Sequence, residues 1–171
     1  MEAATIQDLD AIEEFFDIVI DDQEGKEACP HWIKGVYPDR AYMENAINNG
    51  EMFIIKEDTK VVAALVLNHD QNHGYDQVEW EVNCSEDETQ VFHTFAVLPQ
   101  SRGKGYARRC MEWVKEEVAR RGMKSIRFDV IGPNTPAMRF YEHLGFTFRG
   151  WARFAYEDCG TQDFALYEYV V

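Results

Sequence analysis

Apolar residues recur at helical spacing through Leu9, Ile12, Phe15, Phe16 and Val19, the i, i+3, i+4 signature of one buried helix face. Thr5 or Asp8 caps this first helix, and Gly25 and Pro30 break it. Asp39 starts a second, shorter helix through Tyr42, Met43, Ala46 and Ile47, which ends at Asn48-Asn49-Gly50. Met52–Lys56 and Val61–Asn68 then read as two strands of a hairpin turned by Glu57-Asp58-Thr59-Lys60. Residues 69–90 are polar and irregular apart from Val78–Val82, and an insertion of this length inside a compact domain is more often functional than idle. A strand at Val91–Val97 leads to a helix over about 104–121, whose Ala107, Cys110, Met111, Val114 and Val118 form one apolar stripe up to Gly122.

Ser125–Ile131 predicts another strand. Thr135-Pro136 predicts a helix start, with threonine as N-cap and proline at the first helical position. That helix buries Ala137, Phe140, Tyr141 and Leu144 and ends at Gly145; Phe146–Tyr156 and Gln162–Val170 follow as strands around Glu157-Asp158-Cys159-Gly160-Thr161. The order α-α-β-β-β-α-β-α-β-β predicts an α/β (α+β) fold, a mixed sheet of about six to seven strands with helices on both faces.

At 171 residues the chain is expected to be a single domain, 1–171, with no repeat or linker to divide it. No apolar run reaches the ~18 residues of a membrane span, and Met1–Asp8 lacks the basic and apolar regions of a secretion signal, so a cytoplasmic protein without a membrane partner is expected. Cys29, Cys84, Cys110 and Cys159 form no C-x-x-C pair and no zinc-ligand spacing, which predicts reduced structural thiols and no metal. A homodimer is compatible with the sequence.

The net charge of −14 is unevenly distributed. Residues 1–99 carry 5 Lys/Arg against 22 Asp/Glu, whereas residues 100–127 carry 9 against 3. The basic stretch coincides with Gln100-Ser101-Arg102-Gly103-Lys104-Gly105, a glycine turn between a strand and a helix. Amides at a helix start lack intrahelical partners and sit at the positive end of the macrodipole, so this arrangement describes an anion site. It is not a Walker loop, because Lys104 is followed by Gly105 and the upstream glycine is missing. It is not a dinucleotide fingerprint either, since no early G-x-G-x-x-G opens a βαβ unit. An acidic chain repels a phosphodiester backbone over most of its surface, which argues against a nucleic-acid partner. A polyanionic cofactor at the turn and a cationic partner for the acidic remainder fit the charge pattern better.

Gln100-x-x-Gly103-x-Gly105 resembles the Q/R-x-x-G-x-G/A loop of the GNAT superfamily of acetyl-CoA-dependent N-acetyltransferases, where the loop cradles the CoA pyrophosphate. Asn134-x-x-Ala137-x-x-x-Tyr141-x-x-x-Gly145-Phe146 is similar to that family's second motif, with an asparagine near the pantetheine arm and a tyrosine near the CoA sulfur. The two motifs and the helix between them carry the resemblance over residues 91–150. It implies acetyl-CoA (coenzyme A) as co-substrate and direct transfer of acetyl to an amine in a ternary complex. Two departures stand out. The family's first strand is absent or reduced to Glu2–Thr5, and His143 occupies a position where the family often has lysine or arginine, so no 3′-phosphate contact is expected from it.

The resemblance implies that backbone N–H groups of Gly103, Lys104, Gly105, Tyr106 and Ala107 bind the pyrophosphate beside Gln100, with Arg102, Lys104 and Arg108 supplying charge. It places Phe95 and Val97 on a strand splayed from its neighbour, where one of their amides polarises the thioester carbonyl. Tyr141 is the implied general acid for the departing thiolate, although its neighbours Phe140 and Leu144 also suit a core tyrosine. The base is open between His93, Glu81 and Glu79: His93 has the right intrinsic pKa, and the two glutamates flank Trp80 in the irregular segment. Trp32, Tyr37, Tyr75 and Trp80 either line an acceptor pocket by cation–π contact or plug the space between helices and sheet. Trp32-x-x-Gly35-x-Tyr37-Pro38 is similar to a segment bordering the acceptor site in some small GNAT proteins. The expected acceptor is a small, cationic primary amine such as a polyamine-like compound or an amino-acid derivative; a non-catalytic acyl-CoA sensor and a protein or peptide N-acetyltransferase are the alternatives.

Overall fold

A computed structural model of the chain describes residues 1–132, 134–156 and 160–171. In chain order the elements are β1 (Glu2–Ala3), α1 (Leu9–Asp21), α2 (Arg40–Asn48), β2 (Met52–Glu57), β3 (Lys60–Asn68), β4 (Thr89–Val97), α3 (Tyr106–Arg120), β5 (Ser125–Ile131), α4 (Thr135–His143), β6 (Thr147–Tyr156) and β7 (Gly160–Val170). The strands form one mixed seven-stranded sheet in the order β1-β2-β3-β4-β5-β7-β6. Its parallel step joins β4 to β5; β1/β2, β2/β3, β5/β7 and β6/β7 are antiparallel.

The chain divides into two compact units: residues 1–24, 31–67 and 92–113, and residues 25–30, 68–91 and 114–171. In the first unit, β3 is buried from Val61 to Leu67, as its unbroken apolar run requires of a strand covered on both faces. Ile12, Phe15 and Phe16 of α1 and Met43 of α2 complete a core with Met52 and Ile54. The short first strand is present, with Glu2 opposite Ile54 and Ala3 opposite Phe53. The Thr5 amide and hydroxyl both donate to Asp8 Oδ2, at 2.9 and 2.8 Å, and Lys56 Nζ lies 3.0 Å from the other oxygen. Burial pushes the Asp8 carboxyl up, but these bonds outweigh it and hold the group below its ordinary value.

In the second unit, Phe128 of β5 stacks on Tyr167 of β7 at 5.4 Å and meets Tyr141 and Phe146 at 4.4 and 5.1 Å. A separate cluster holds Tyr75, Val91, Ile131, Ala152, Phe154, Phe164 and Leu166, with Val78 and Trp80 against it. Residues 69–90 are therefore built into this unit. They carry two short 3-10 turns, His73–Gln77 and Glu86–Glu88, and Val78–Val82 is not a strand. A side chain at Gly74 would collide with the Phe154 ring, so only glycine lets this turn lie so close to β6.

A buried ion pair fixes the same segment. Arg127 of β5 and Glu168 of β7 are 5% and 1% exposed and face each other at 3.2 Å. Arg127 also donates to the Val82 carbonyl at 2.8 Å and to Gln71 Oε1 at 3.1 Å, and its guanidinium lies 4.3 Å from the Trp80 ring centre. Glu168 in turn accepts from the Glu81 amide at 2.6 Å and the Ser125 hydroxyl at 2.8 Å. Two charges removed from water need such full coordination to be tolerated.

Some boundaries differ from the sequence pattern. β4 begins at Thr89, before the apolar run. α3 begins at Tyr106, after two left-handed glycines. Asn134, not Thr135, caps α4, which puts Pro136 at the second helical position. Proline is tolerated in either slot because neither amide has a helical acceptor. Met138 and Tyr141 are buried on α4, while Ala137, Phe140 and Leu144 are half-buried. The turn residues Glu157–Cys159 lie outside the described residues.

Two stability predictions follow from these contacts. Arg127→Met should cost about 3–5 kcal/mol in denaturant unfolding, and most of that should return in Arg127→Met/Glu168→Leu, where no charge is left buried alone. Asp8 is depressed when folded, so its stabilisation is present above its unfolded pKa of about 3.9 and is lost as pH falls through the folded value. Asp8→Asn should thus lower the melting temperature at pH 7, with the difference shrinking as pH falls through the acid range.

Candidate active site

β4 delivers the chain to the glycine turn through an irregular strand. Its ladder with β5 consists of Thr89–Ser125, Gln90–Ile126 and Val91–Arg127, whereas β5 stays in register with β7 through Ile131. Beyond that ladder, buried Thr94 has φ +47°, with its hydroxyl 3.5 Å from that of Tyr42. A β-branched residue in this region is strained by about 1–3 kcal/mol, a cost that tends to cluster at functional sites. Burial alternates from His93 to Val97, with His93, Phe95 and Val97 half-buried and Thr94 and Ala96 buried.

A 3-10 turn, Pro99–Ser101, follows β4 and exposes Gln100. Gly103 and Gly105 then take φ +77° and +84°, with open space where a Cβ would stand. These left-handed steps turn the chain sharply into α3. The Arg102 amide donates to the Pro99 carbonyl, and the next backbone bond runs from Arg109 to Gly105. Among the described residues, the amides of 103–108 therefore have no backbone acceptor. Unpartnered helix-start amides next to cations can hold an oxyanion.

The side chains of the turn have acidic neighbours. Arg102 Nη1 lies 2.6 Å from Asp22 Oδ2, and Lys104 Nζ lies 3.9 Å from Glu57 Oε2. The Tyr106 hydroxyl donates to Glu57, and that bond holds the phenol above its ordinary range. Ala107 is half-buried and begins the apolar stripe of α3. Burial pushes the Cys110 thiol on that stripe up to about 12, which rules it out as a nucleophile at neutral pH.

The second motif lies in the other unit. Asn134 caps α4 through its backbone, its carbonyl accepting from Ala137 and Met138, and its side chain makes no cap bond. Tyr141 is 7% exposed, ringed by Phe128, Phe140, Phe146 and Tyr167. Its ring has a packing role whatever its hydroxyl does.

The candidate bases differ in setting. Glu79 and Glu81 are both exposed; Arg149 donates to the Glu79 carbonyl from two nitrogens and to Glu81 Oε2 at 3.1 Å. Tyr75 and Trp80, read from sequence as pocket aromatics or plugs, belong to the buried cluster of the second unit. Trp32 meets Phe16 edge-on at 5.9 Å, and Tyr37 packs on Tyr42 at 5.0 Å.

A further carboxylate escaped the sequence reading. Asp129 of β5 is half-buried, two residues beyond the last β4–β5 pair, and accepts the Tyr75 hydroxyl at 2.9 Å. The signal was available: Ser125, Arg127 and Asp129 alternate with Ile126, Phe128 and Val130, marking a polar face on an interior strand.

The sequence model of the acetyltransferase (GNAT) family matches residues 12–146. This chain belongs to the GNAT acetyltransferase family. It is an acyltransferase of a family whose members generally use acetyl-CoA as co-substrate and act on amines. No curated protein matches it in sequence. Among solved structures it is similar to a GNAT-family acetyltransferase from Streptococcus agalactiae 2603, at 19% identity and a TM-score of 0.80, over 99% of this chain and 94% of that one. A GNAT-family acetyltransferase from Listeria monocytogenes 4b F2365 aligns at 17% identity and TM-score 0.73, over 99% and 93%. A ribosomal-protein-alanine N-acetyltransferase from Brucella melitensis aligns at 16% and 0.68, over 99% and 98%. At these identities the likeness is one of fold. The seven-stranded mixed sheet and four α-helices among the described residues agree with it. No helix among the described residues is long and apolar enough to cross a membrane.

Proposed function

We propose that this GNAT enzyme transfers acetyl from acetyl-CoA to the primary amine of a small cationic acceptor. The observation that carries the donor half is the run of amides from 103 to 108 without backbone acceptors, flanked by Arg102 and Lys104. The residues fit the group: the amides and cations suit the pyrophosphate, Gln100, Tyr106 and Ala107 would border it, and the half-buried Phe95 and Val97 would offer backbone for the thioester arm. Asn134 and Ala137, at the start of α4, would border the pantetheine.

In this reading the acceptor nitrogen bonds to the acetyl carbon as the carbon–sulfur bond breaks, the thiolate takes the Tyr141 proton, and a carboxylate or His93 takes the proton lost by the amine. A thiol near ~8.5 and a phenol near ~10 make this donation workable only with close positioning. Among the bases we favour Asp129, whose half-buried carboxylate is oriented by Tyr75, over the exposed Glu79 and Glu81. Glu81 is engaged by Arg149 through its side chain and by Glu168 through its amide, which supports an anchoring role for it. The acidic residues 1–99 favour a cationic acceptor.

A panel of polyamines, amino-acid amides, anionic amines and short peptides with free N-termini, assayed for CoA release, tests the acceptor. Faster turnover of small cationic amines is expected; preference for anionic amines contradicts the charge argument, and preference for peptides moves the acceptor to the protein class. Tyr141→Phe should lower kcat by about a hundredfold or more with acetyl-CoA affinity little changed, and Asp129→Asn should lower kcat/KM for the amine in a pH-dependent way. Unchanged chemistry in either variant removes that residue from the mechanism.

A further inference from the structure

Asp22 is oddly placed for a residue serving only its helix. It caps the C-terminus of α1, the negative end of the helix dipole, next to Asp21, and the last turn of α1 has no basic residue. Its carboxylate reaches Arg102 of the glycine turn at 2.6 Å. Glu57, at the end of β2, reaches the same turn, accepting the Tyr106 hydroxyl and facing Lys104 at 3.9 Å. Two carboxylates from separate elements thus meet the two cations of one six-residue loop, all within the first unit.

Resting on the reading of that loop as the donor site, we propose that Asp22 and Glu57 act as built-in competitors of the donor's phosphates, so that CoA binds and leaves by exchange of oxyanions on Arg102 and Lys104. The pairs suit exchange. Arg102, Lys104 and Glu57 are about half exposed and Asp22 is 28% exposed, and solvent-accessible ion pairs contribute about a two- to fivefold factor, small enough to be displaced by a phosphate offering more charge and more acceptor oxygens. While the site is free of donor, the carboxylates keep the long cationic side chains near the loop and out of stray contacts. When product leaves, they recapture the cations and limit rebinding. Asp22 and Glu57 are thus positioning residues that lower donor affinity and hasten release, and their effect depends on the ligand having phosphates.

Calorimetric titration of the full chain with acetyl-CoA tests this, using Asp22→Asn, Asp22→Glu, Arg102→Gln and Asp22→Asn/Arg102→Gln. Asp22→Asn should bind acetyl-CoA about two- to fivefold more tightly at low salt, with a steeper salt dependence, because Arg102 no longer breaks one pair to form another. Asp22→Glu should resemble the unaltered chain, and the effect of Asp22→Asn should vanish beside Arg102→Gln. A phosphate-free acetyl-pantetheine thioester should show no such gain. Glu57→Gln, which still accepts from Tyr106, should shift affinity the same way and supplies the test if Asp22→Asn folds poorly. Unchanged or weaker binding by Asp22→Asn, with Arg102→Gln clearly weakened, overturns the competitor role and leaves the donor loop standing. Failure of the unaltered chain to bind acetyl-CoA overturns both.

Discussion

Arg127 is a charged side chain buried in the second unit, and the polar segment between β3 and β4 is folded around it. Its Nε, Nη1 and Nη2 donate to Glu168, Gln71 and the Val82 carbonyl and its planar face meets the Trp80 ring, so strand β5, strand β7 and the insertion share one guanidinium. Lysine could not replace it, having neither the fork nor the stacking surface. The arrangement accounts for a segment with few apolar residues that is nonetheless held in a defined place. It also accounts for Glu81, whose amide binds Glu168 while its side chain meets Arg149. Residues that look like catalytic carboxylates in a polar loop can be the fastenings of that loop.

The glycine turn depends on a different constraint, one of backbone geometry. Two left-handed residues in close succession end the 3-10 turn and begin α3 without supplying an acceptor to its first amides. Any L side chain at either site would strain the turn although space is open around it. The loop thereby keeps a set of donors available, and its cations are met by acidic residues of the same unit. In the proposed reading, donor recognition is a matter of local geometry plus a tunable charge balance, and neither fixes the acceptor.

How much of this was legible in the sequence varied with the range of the interaction. The stripe Cys110, Met111, Val114, Val118 and the apolar run of β3 are local patterns, and both elements formed as their periodicity required. The glycine turn was legible for the same reason, since positive φ is a property of one residue. The polar face carrying Asp129 was legible, but its bond to Tyr75 and the Arg127–Glu168 pair were not, because a polar residue on a strand declares its partner only when strands distant in sequence are brought together. The packing of Tyr75 and Trp80 was not legible for that reason too: the cluster they pack into draws on β5, β6 and β7. The cap of α4 shifted by one residue because proline fits either of the first two helical positions.

The central claim is that the amides from Gly103 to Arg108 receive the anionic part of acetyl-CoA. Amide hydrogen exchange of the intact chain, with and without saturating acetyl-CoA, tests it most directly. Having no backbone acceptor among the described residues, these amides should exchange readily in the free protein and become the most strongly protected set when the donor binds. Saturable binding that leaves exchange at 103–108 unchanged, with protection arising elsewhere, would contradict the account.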